Sequence, residues 1–176
     1  MKQILFKSKN FCVVREPLPS RSEGASKPTD YIWQPEVVIA VPVHDDGHVT
    51  LVRHNRPILG VELLECPGGK VDAGESLETA ITRELEEEVG LTPGRLEYVT
   101  HFFSSVGTST EKIHVFIARD MAPHPRNRAD TKRMHLVDME PDAIVRVVNG
   151  GELRDGKTIV ALSTYIRLTK LEPPTK

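Results

Sequence analysis

The sequence predicts an α/β (α+β) protein with a central mixed β-sheet, and three observations lead to this fold class. Apolar, β-branched runs bounded by turn residues predict strands, as in VVIAVPV at 37–43 and KIHVFIA at 112–118. Segments with helical spacing of apolar residues lie between and after these runs, notably at 77–89 and 157–168. The chain has 176 residues, of which 39% are hydrophobic, so it can bury one substantial core.

The composition argues against several functions. The formal net charge is −2, so the chain has no overall basic field that would favour nucleic acid. No segment approaches the ~20 apolar residues of a membrane span, and the N-terminus has no signal-like cleavage site. Cys12 and Cys66 match no metal or disulfide spacing, which fits a reducing compartment. We therefore expect a cytoplasmic protein that binds neither nucleic acid nor membrane.

The first 34 residues are expected to form a unit of their own, ahead of a main domain at 35–176. Residues 1–15 alternate weakly between apolar and polar and predict one or two short strands. The stretch PLPSRSEGASKPTD at 17–30 is rich in proline, serine and glycine and predicts a loop.

The main domain begins with predicted strands. The runs at 37–43 and 48–54 flank an Asp-Gly pair, which is a hairpin signal. ELLEC at 62–66 predicts a short strand that Pro67-Gly68-Gly69 ends.

A helix is predicted from Leu77 to about Val89. Ser76 is a candidate N-cap, and Gly90 fits the residue after the helix end. Further strands are predicted at 97–103, 112–118 and 134–138, and further helices at 141–148 and 157–168.

Acids of this helix fall where apolar residues are expected. Successive helical residues turn by about 100°, which defines an apolar arc. The arc contains Leu77, Ala80, Ile81 and Leu85. Glu84 and Glu88 fall inside the arc and Glu87 at its edge, so these three acids point towards the body of the protein. Glu78 and Glu86 fall elsewhere and are expected to be solvated.

A cluster of carboxylates needs compensation when it is partly desolvated, because like charges repel. Shared protons or a nearby cation would offset that cost. Hard divalent cations such as Mg²⁺ take oxygen ligands from carboxylates and from substrate phosphates. Arg83 adds a fixed positive charge beside the cluster. Helical spacing alone leaves two readings open, a solvated acidic face and a cation site.

The residues around the acids resemble a known family. Gly69 is followed after five residues by Glu75, and after seven more by Arg83, which opens the run RELEEEVGL at 83–91. This pattern matches the fixed positions of the box that defines the Nudix hydrolases. The resemblance implies an α/β/α sandwich with a mixed sheet and a loop–helix–loop that binds divalent metal, either Mg²⁺ or Mn²⁺.

The resemblance also assigns roles by position. The implied metal ligands are Glu84, Glu87, Glu88 and the carbonyl of Gly69. Glu84 and Glu88 are thereby part of the catalytic group, together with Arg83. Glu75 is implied to orient the glutamates with Arg83.

Flanking residues resemble the ADP-ribose and nucleotide-sugar diphosphatase branch of the family. Arg53 and Arg56 match its Arg-x-x-Arg strand end, and Leu64-Glu65 begins its run into the box. Both arginines are candidates for substrate binding, since a guanidinium matches phosphate geometry, with a surface salt bridge as the alternative for Arg56. Gly68 is a further candidate, because glycine lets backbone approach a ligand closely.

The loop at 104–111 resembles the loop of that branch that ends in a glutamate. Glu111 occupies the glutamate position and is the candidate base that activates water, with a structural role as the alternative. Val106 stands where the branch has proline, which weakens the case for ADP-ribose itself. The C-terminal stretch at 150–162 also resembles the branch.

The branch resemblance further implies a homodimer that forms through the N-terminal strands, which gives residues 1–34 a role in dimerisation. Trp33, the only tryptophan, is either a base-stacking residue near that interface or simply packed. A basic stretch lies within 119–133 and either meets an anionic substrate or is solvated. Its members are Arg126, Arg128, Lys132 and Arg133.

The sequence therefore predicts metal-dependent hydrolysis of nucleoside diphosphate sugars such as ADP-ribose, giving a nucleoside monophosphate and a sugar phosphate. One alternative is a Nudix hydrolase of another nucleotide, such as a nucleoside triphosphate or a dinucleoside polyphosphate. Another is a Nudix module that binds nucleotide without cleaving it. The complete set of box glutamates argues against the second alternative.

Overall fold

The computed structural model describes residues 1–19, 26–125 and 134–170. Within these ranges the strands are β1 (Gln3–Lys7), β2 (Cys12–Pro19), β3 (Ser26–Trp33), β4 (Val37–Pro42), β5 (Val49–Arg56), β6 (Val61–Glu65), β7 (Gly68–Lys70), β8 (Leu91–Phe103), β9 (Lys112–Pro123) and β10 (Met134–Met139). The helices are α1 (Leu77–Glu88), α2 (Pro141–Asn149) and α3 (Gly156–Thr169). Among the helices of these ranges, none has the length and apolar character needed to cross a membrane.

The central sheet has the order β7-β4-β9-β8 and is mixed, as predicted. β4 and β9 are parallel, with Val37 opposite Ile113, whereas the outer pairs are antiparallel. A second sheet, β10-β5-β6, is antiparallel throughout. The parallel pair makes β4 and β9 begin at the same end of the sheet, and the loop that carries Glu111 leads into that end.

Helices cover both faces of the central sheet, because alternate residues of β4 point to opposite sides. Val38 and Ala40 pack with Ile81 and Leu85 of α1 in one core cluster. The opposite face of the sheet packs with α2 and α3 in a second cluster, which includes Ile39, Val41, Ile113, Ile144 and Leu162. The result is the expected layered arrangement of helix, sheet and helix.

The N-terminal region is a separate antiparallel sheet in the order β1-β2-β3. The prediction of a loop over 17–30 was wrong at both ends, because β2 continues to Pro19 and β3 begins at Ser26. Pro17 lies opposite Pro28, beyond the residues of β2 that pair with β1. A missing N–H is tolerated where a strand has no second neighbour, so these prolines fit the strands. The middle of the predicted loop lies outside the described residues.

One further strand was not predicted, and two others are longer than predicted. Gly68–Lys70 was predicted only as a strand break, yet it pairs with β4 as β7. β8 starts at Leu91, and β9 continues to Pro123 opposite it. Pro93 is accommodated because β8 is an edge strand with one neighbour. The basic residues at 126–133 lie outside the described residues.

Candidate active site

Helix α1 is fixed by a cap and by a buried apolar stripe, as its sequence predicts. The Ser76 side chain accepts a hydrogen bond from the Thr79 N–H at 3.1 Å and caps the helix. Ala80, Ile81 and Leu85 are fully buried against the central sheet. Burial of this stripe sets the rotation of the helix and therefore the direction of its acids.

Arg83 of α1 binds the segment that precedes the helix and two acids of the helix itself. Its Nε and Nη2 donate to the two carboxylate oxygens of Glu75 at 3.0 and 3.1 Å. Its Nη2 also donates to the carbonyl of Lys70 at 3.0 Å, at the end of β7. Its Nη1 donates to Glu84 at 2.8 Å and lies 3.5 Å from Glu87. The Arg83 charge lowers the pKa of Glu75, first through these hydrogen bonds, and thereby keeps Glu75 ionised.

Glu84 lies inward on α1, as its position in the apolar arc predicts. Its side chain is 13% exposed, against 39% for Glu87 at the edge of the arc. Burial raises the pKa of Glu84, although the hydrogen bond and charge of Arg83 oppose that shift. A Cβ added at Gly69 would lie 2.2 Å from Glu84 Oε1, so any residue other than glycine would displace this carboxylate.

Glu88 lies against the turn that opens β7. Its Oε2 accepts a hydrogen bond from the Gly68 N–H at 2.9 Å. Burial raises the pKa of Glu88 to about 8, and repulsion from Glu84 adds to this shift. Gly68 has φ of +154°, and a Cβ there would lie 2.1 Å from the Val38 carbonyl oxygen. The close approach of β7 to β4 therefore requires glycine at this position.

The prediction for the outer acids of α1 holds for Glu78, which is exposed, but was wrong for Glu86. Glu86 accepts a hydrogen bond from the Thr92 hydroxyl at 2.7 Å, and its side chain is only 28% exposed. The helical wheel contains no information about β8, and Thr92 at the start of that strand supplies the partner.

Arg56 is held by Glu65, a buried residue for which the sequence indicates a place in a motif but no partner. Arg56 Nε donates to Glu65 Oε1 at 2.7 Å, and Nη2 donates to the other oxygen. This hydrogen bonding raises the pKa of Arg56, and the field of Arg56 in turn opposes the upward shift at Glu88. Arg56 therefore lies close enough to Glu88 to affect its pKa. However, the Nε and Nη2 groups of its guanidinium are already bound to Glu65.

Arg53 is placed apart from Arg56. Residues three apart on a strand point to opposite faces, so Arg53 leaves β5 on the side away from Arg56. It lines a cavity with Leu64, Leu153 and Arg154 on the α2–α3 side. The structure does not bring Arg53 to the acids of α1.

Glu111 directly precedes β9, at the end of the sheet where Arg83 is anchored. Lys70, Val37 and Ile113 form one cross-strand row, and Arg83 binds the first of these residues. The Glu111 N–H donates to the Ser109 hydroxyl at 3.0 Å. Among the described residues, none donates a hydrogen bond to the Glu111 carboxylate or forms an ion pair with it.

Trp33 ends β3, close in sequence to contacts with the loop that carries Glu111. Ile32 bridges to Ser109, with its N–H donating to the Thr108 carbonyl at 2.8 Å. Trp33 is 44% exposed, so its ring is not simply packed in a core. The structure thus brings the end of β3 and the 104–111 loop together.

The donor set of α1 and β7 suits a hard divalent cation. Acids outnumber arginines in this part of the site, and the charges of the partly buried Glu84 and Glu88 lack full compensation. Within residues 1–19, 26–125 and 134–170, no group of three or more His, Cys, Asp or Glu side chains is arranged to hold a metal ion as it stands. The reason is that Glu84 and Glu87 face Arg83, whereas Glu88 faces Gly68. The chemistry of the residues fits a cation.

Fold and site together define a class of protein, and comparison with known families agrees with that definition. The NUDIX domain matches residues 33–158. The chain therefore belongs to the Nudix family and is a Nudix hydrolase. Members of this family generally need a divalent metal ion.

Within the Nudix family, the chain is similar to two relatives of known name and to one solved structure. The chain is 29% identical over 169 residues to an ADP-ribose pyrophosphatase of Bacillus subtilis, which covers 95% of this chain and 90% of the relative. It is 30% identical over 115 residues to a GDP-mannose pyrophosphatase of Salmonella paratyphi B, which covers 62% of this chain and 58% of the relative. The crystal structure of an ADP compounds hydrolase matches with a TM-score of 0.82 at 22% identity, over 97% of this chain and 92% of that one. This last likeness concerns the fold.

Proposed function

We propose that this Nudix hydrolase cleaves the diphosphate bond of nucleoside diphosphate sugars, with ADP-ribose as the first substrate to test and Mg²⁺ as the cation. The observation that carries the proposal is the partial burial of Glu84 and Glu88 on α1, which raises the pKa of both carboxyl groups despite the arginines nearby. A divalent cation that also binds a diphosphate supplies that charge. The names of the relatives in Bacillus subtilis and Salmonella paratyphi B support the substrate class.

Glu84, Glu87 and Glu88 would hold the cation, with the Gly69 carbonyl as a further ligand. When bound, the cation neutralises the diphosphate and polarises its phosphorus–oxygen bond. Arg83 and Glu75 keep the carboxylates in place, since Arg83 binds Glu75 on one side and Glu84 on the other. The partly buried Arg83–Glu75 pair thus acts as a support for the ligands, as in many metal sites.

Glu111 is the group we propose as the base. Its carboxylate has no described partner, so it is free to accept a proton from the attacking water. The water oxygen bonds to one phosphorus, the bridging bond breaks, and the second phosphate leaves with the sugar. The products are a nucleoside monophosphate and a sugar phosphate.

Arg56 and Gly68 are proposed to contact the diphosphate, since the Gly68 N–H binds Glu88 and the charge of Arg56 acts on the same carboxylate. The Arg56 guanidinium suits a phosphate oxygen, and Glu65 would hold the guanidinium in position. Arg53, on the other side of β5, has no comparable support from its placement.

A homodimer through residues 1–34 is also part of the proposal. Ile4 and Phe6 of β1 are exposed, which is costly for an isolated sheet. Trp33, partly exposed at the end of β3, would then stack on the nucleotide base near that interface. Light scattering at several concentrations would measure the mass of the particle, and a monomer at every concentration would contradict the dimer.

The substrate is tested by a panel of ADP-ribose, GDP-mannose, UDP-glucose, ATP and a dinucleoside polyphosphate, each with Mg²⁺ or Mn²⁺. Products are separated by anion-exchange chromatography. We expect AMP and ribose 5-phosphate from ADP-ribose, and the highest kcat/KM for a nucleotide sugar. A higher kcat/KM for ATP or the dinucleoside polyphosphate would contradict the proposal, and so would tight binding without turnover.

A further inference from the structure

The short linker between β3 and β4, residues 34–36, contacts the chain on both sides of Glu111. Gln34 reaches the two residues before Glu111, and Glu36 reaches the residues after it. Sequence distance hides this arrangement, since the contacts join residues 75 to 78 positions apart. The linker also directly follows Trp33, the residue proposed to contact the base.

On the first side, Gln34 binds the loop through its backbone and its side chain. Its N–H donates to the Thr110 hydroxyl at 3.0 Å, and that hydroxyl donates to the Gln34 carbonyl at 3.3 Å. Its Nε2 donates to the Ser109 hydroxyl at 3.0 Å. The same Ser109 oxygen accepts from the Glu111 N–H at 3.0 Å. Gln34 and Glu111 are therefore linked through one hydroxyl group.

On the second side, Glu36 binds the start of β9. Its Oε2 lies 3.1 Å from His114 Nε2, and its Oε1 lies 3.8 Å from the ammonium of Lys112. The Glu36 carbonyl accepts a hydrogen bond from the Val71 N–H at 2.9 Å, in the loop after β7. Glu36 thus connects the strand that follows Glu111 with the segment that leads into α1.

His114 is itself fixed by neighbours on β8. Tyr98 Oη lies 3.3 Å from His114 Nδ1 and 3.0 Å from His101 Nδ1. His114 is 3% exposed, and burial lowers its pKa, which keeps the ring neutral at neutral pH. One arrangement of protons satisfies this series of hydrogen bonds. His101 donates to Tyr98, Tyr98 donates to His114 Nδ1, and His114 Nε2–H donates to Glu36. His114 is therefore anchored on its own side of the contact, while the Glu36 carboxylate that it binds is 49% exposed.

We propose that Gln34 and Glu36 are positioning residues for Glu111, and that the linker holds the carboxylate in place by fixing the chain on both of its sides. The inference rests on the proposed function, in which Glu111 acts as the base. It goes beyond that function because neither residue touches the substrate in the proposed reaction. A carboxylate with no described partner of its own needs such support, since a displaced base transfers protons poorly.

The test uses Gln34→Ala and Glu36→Gln in the 176-residue enzyme. Gln34→Ala removes the Ser109 contact but keeps the backbone bonds to Thr110. Glu36→Gln keeps the shape of the side chain and removes its charge. Each change is expected to lower kcat for the nucleotide sugar about tenfold, as for other supporting residues, with KM unchanged within about twofold. Amide hydrogen exchange across residues 104–111 is expected to become faster in both variants.

The matched control is Asp46→Asn. Asp46 and His48 form a carboxylate–imidazole pair at 3.1 Å, the same separation as Glu36 and His114, but in the turn before β5. We expect this variant to keep both kcat and the exchange rate of 104–111. Loss of kcat in Asp46→Asn equal to that in Glu36→Gln would overturn the inference, because the effect would then be one of general stability.

The decisive comparison repeats both changes in a Glu111→Gln background. If the linker acts through Glu111, either change should alter the remaining kcat by less than about twofold. An additive loss in that background overturns the inference, as does unchanged kcat or unchanged exchange in the single variants. An unmodified enzyme that cleaves no nucleotide sugar contradicts the proposed function instead, and the exchange measurement still tests the linker in that case.

Discussion

The two parts of the candidate site are built in different ways. Around α1, charged side chains hold one another, and Arg83 alone binds Glu75, Glu84 and the Lys70 carbonyl. Around Glu111, hydroxyl and amide groups hold the chain on one side and the Glu36 carboxylate holds it on the other, while the Glu111 carboxylate itself has no described partner. The first arrangement fixes side chains, whereas the second fixes the chain and leaves one side chain free.

This difference fits the two proposed tasks. Metal ligands must keep one geometry and one charge state, so a bound arginine beside them is useful. A base must gain and lose a proton in each turnover, so a permanent cation partner would hinder it. Substitutions in each part test whether the acids of α1 bind the cation and Glu111 acts as the base.

The largest effect is expected at Glu111. Glu111→Gln should lower kcat by roughly 10²- to 10⁴-fold, because the amide cannot accept the proton of the attacking water. Steady-state kinetics with ADP-ribose measures this, with Glu97→Gln on β8 as a control for loss of an exposed acid. Wild-type kcat in Glu111→Gln would remove Glu111 from the mechanism.

Glu88→Gln should come next, with a loss of at least ~10² in rate, because one proposed cation ligand is neutralised. The rate is measured in saturating Mg²⁺, so that weakened binding alone cannot explain the loss. Glu78→Gln, at an exposed position of the same helix, serves as the control. Turnover near that of the wild type would rule out the assignment of Glu88 as a ligand.

Substitutions at the adjacent Gly68 and Gly69 distinguish a glycine needed for the fold from one needed for the metal site. Gly68→Ala forces a Cβ against the Val38 carbonyl, which is backbone, so we expect a lower Tm and a loss of about 1–3 kcal/mol in stability. Gly69→Ala pushes on the Glu84 carboxylate, which can move. That variant should keep its Tm and need about tenfold more Mg²⁺ for half-maximal rate. Calorimetry and metal titrations distinguish the two, and equal Tm losses would contradict this reasoning.

The smallest effect is expected at Arg56. Arg56→Lys loses the planar fork that binds Glu65, so KM for the nucleotide sugar should rise about tenfold with little change in kcat. Arg95→Lys, at an exposed pair with Asp120, is the control. A KM within twofold of the wild type would mean that Arg56 binds Glu65 but does not contact the substrate.

Features set by local periodicity could be predicted from the sequence. The position of Glu84 in the apolar arc of α1 predicted its burial, because helix geometry is a property of neighbouring residues. The strands β4, β5, β9 and β10 and the helices α1, α2 and α3 followed from the same kind of pattern, whereas the mixed sheet followed from the order of these elements and from the family resemblance.

Features set by contacts distant in sequence could not be predicted. Glu65 as the partner of Arg56, Thr92 as the partner of Glu86, and β7 as a strand all depend on how separate segments meet. The same holds for Glu36 and His114, which lie 78 positions apart. The family resemblance supplied candidate site residues but gave no information about these supports.

The proposed function requires that the partly buried acids of α1 bind a divalent cation. The most direct measurement is a Mn²⁺ titration followed by electron paramagnetic resonance, with the wild type and a Glu84→Gln, Glu88→Gln double variant. We expect saturable Mn²⁺ binding by the wild type and a loss of Mn²⁺ affinity of at least about tenfold in the double variant. Equal affinity in the two proteins would contradict it.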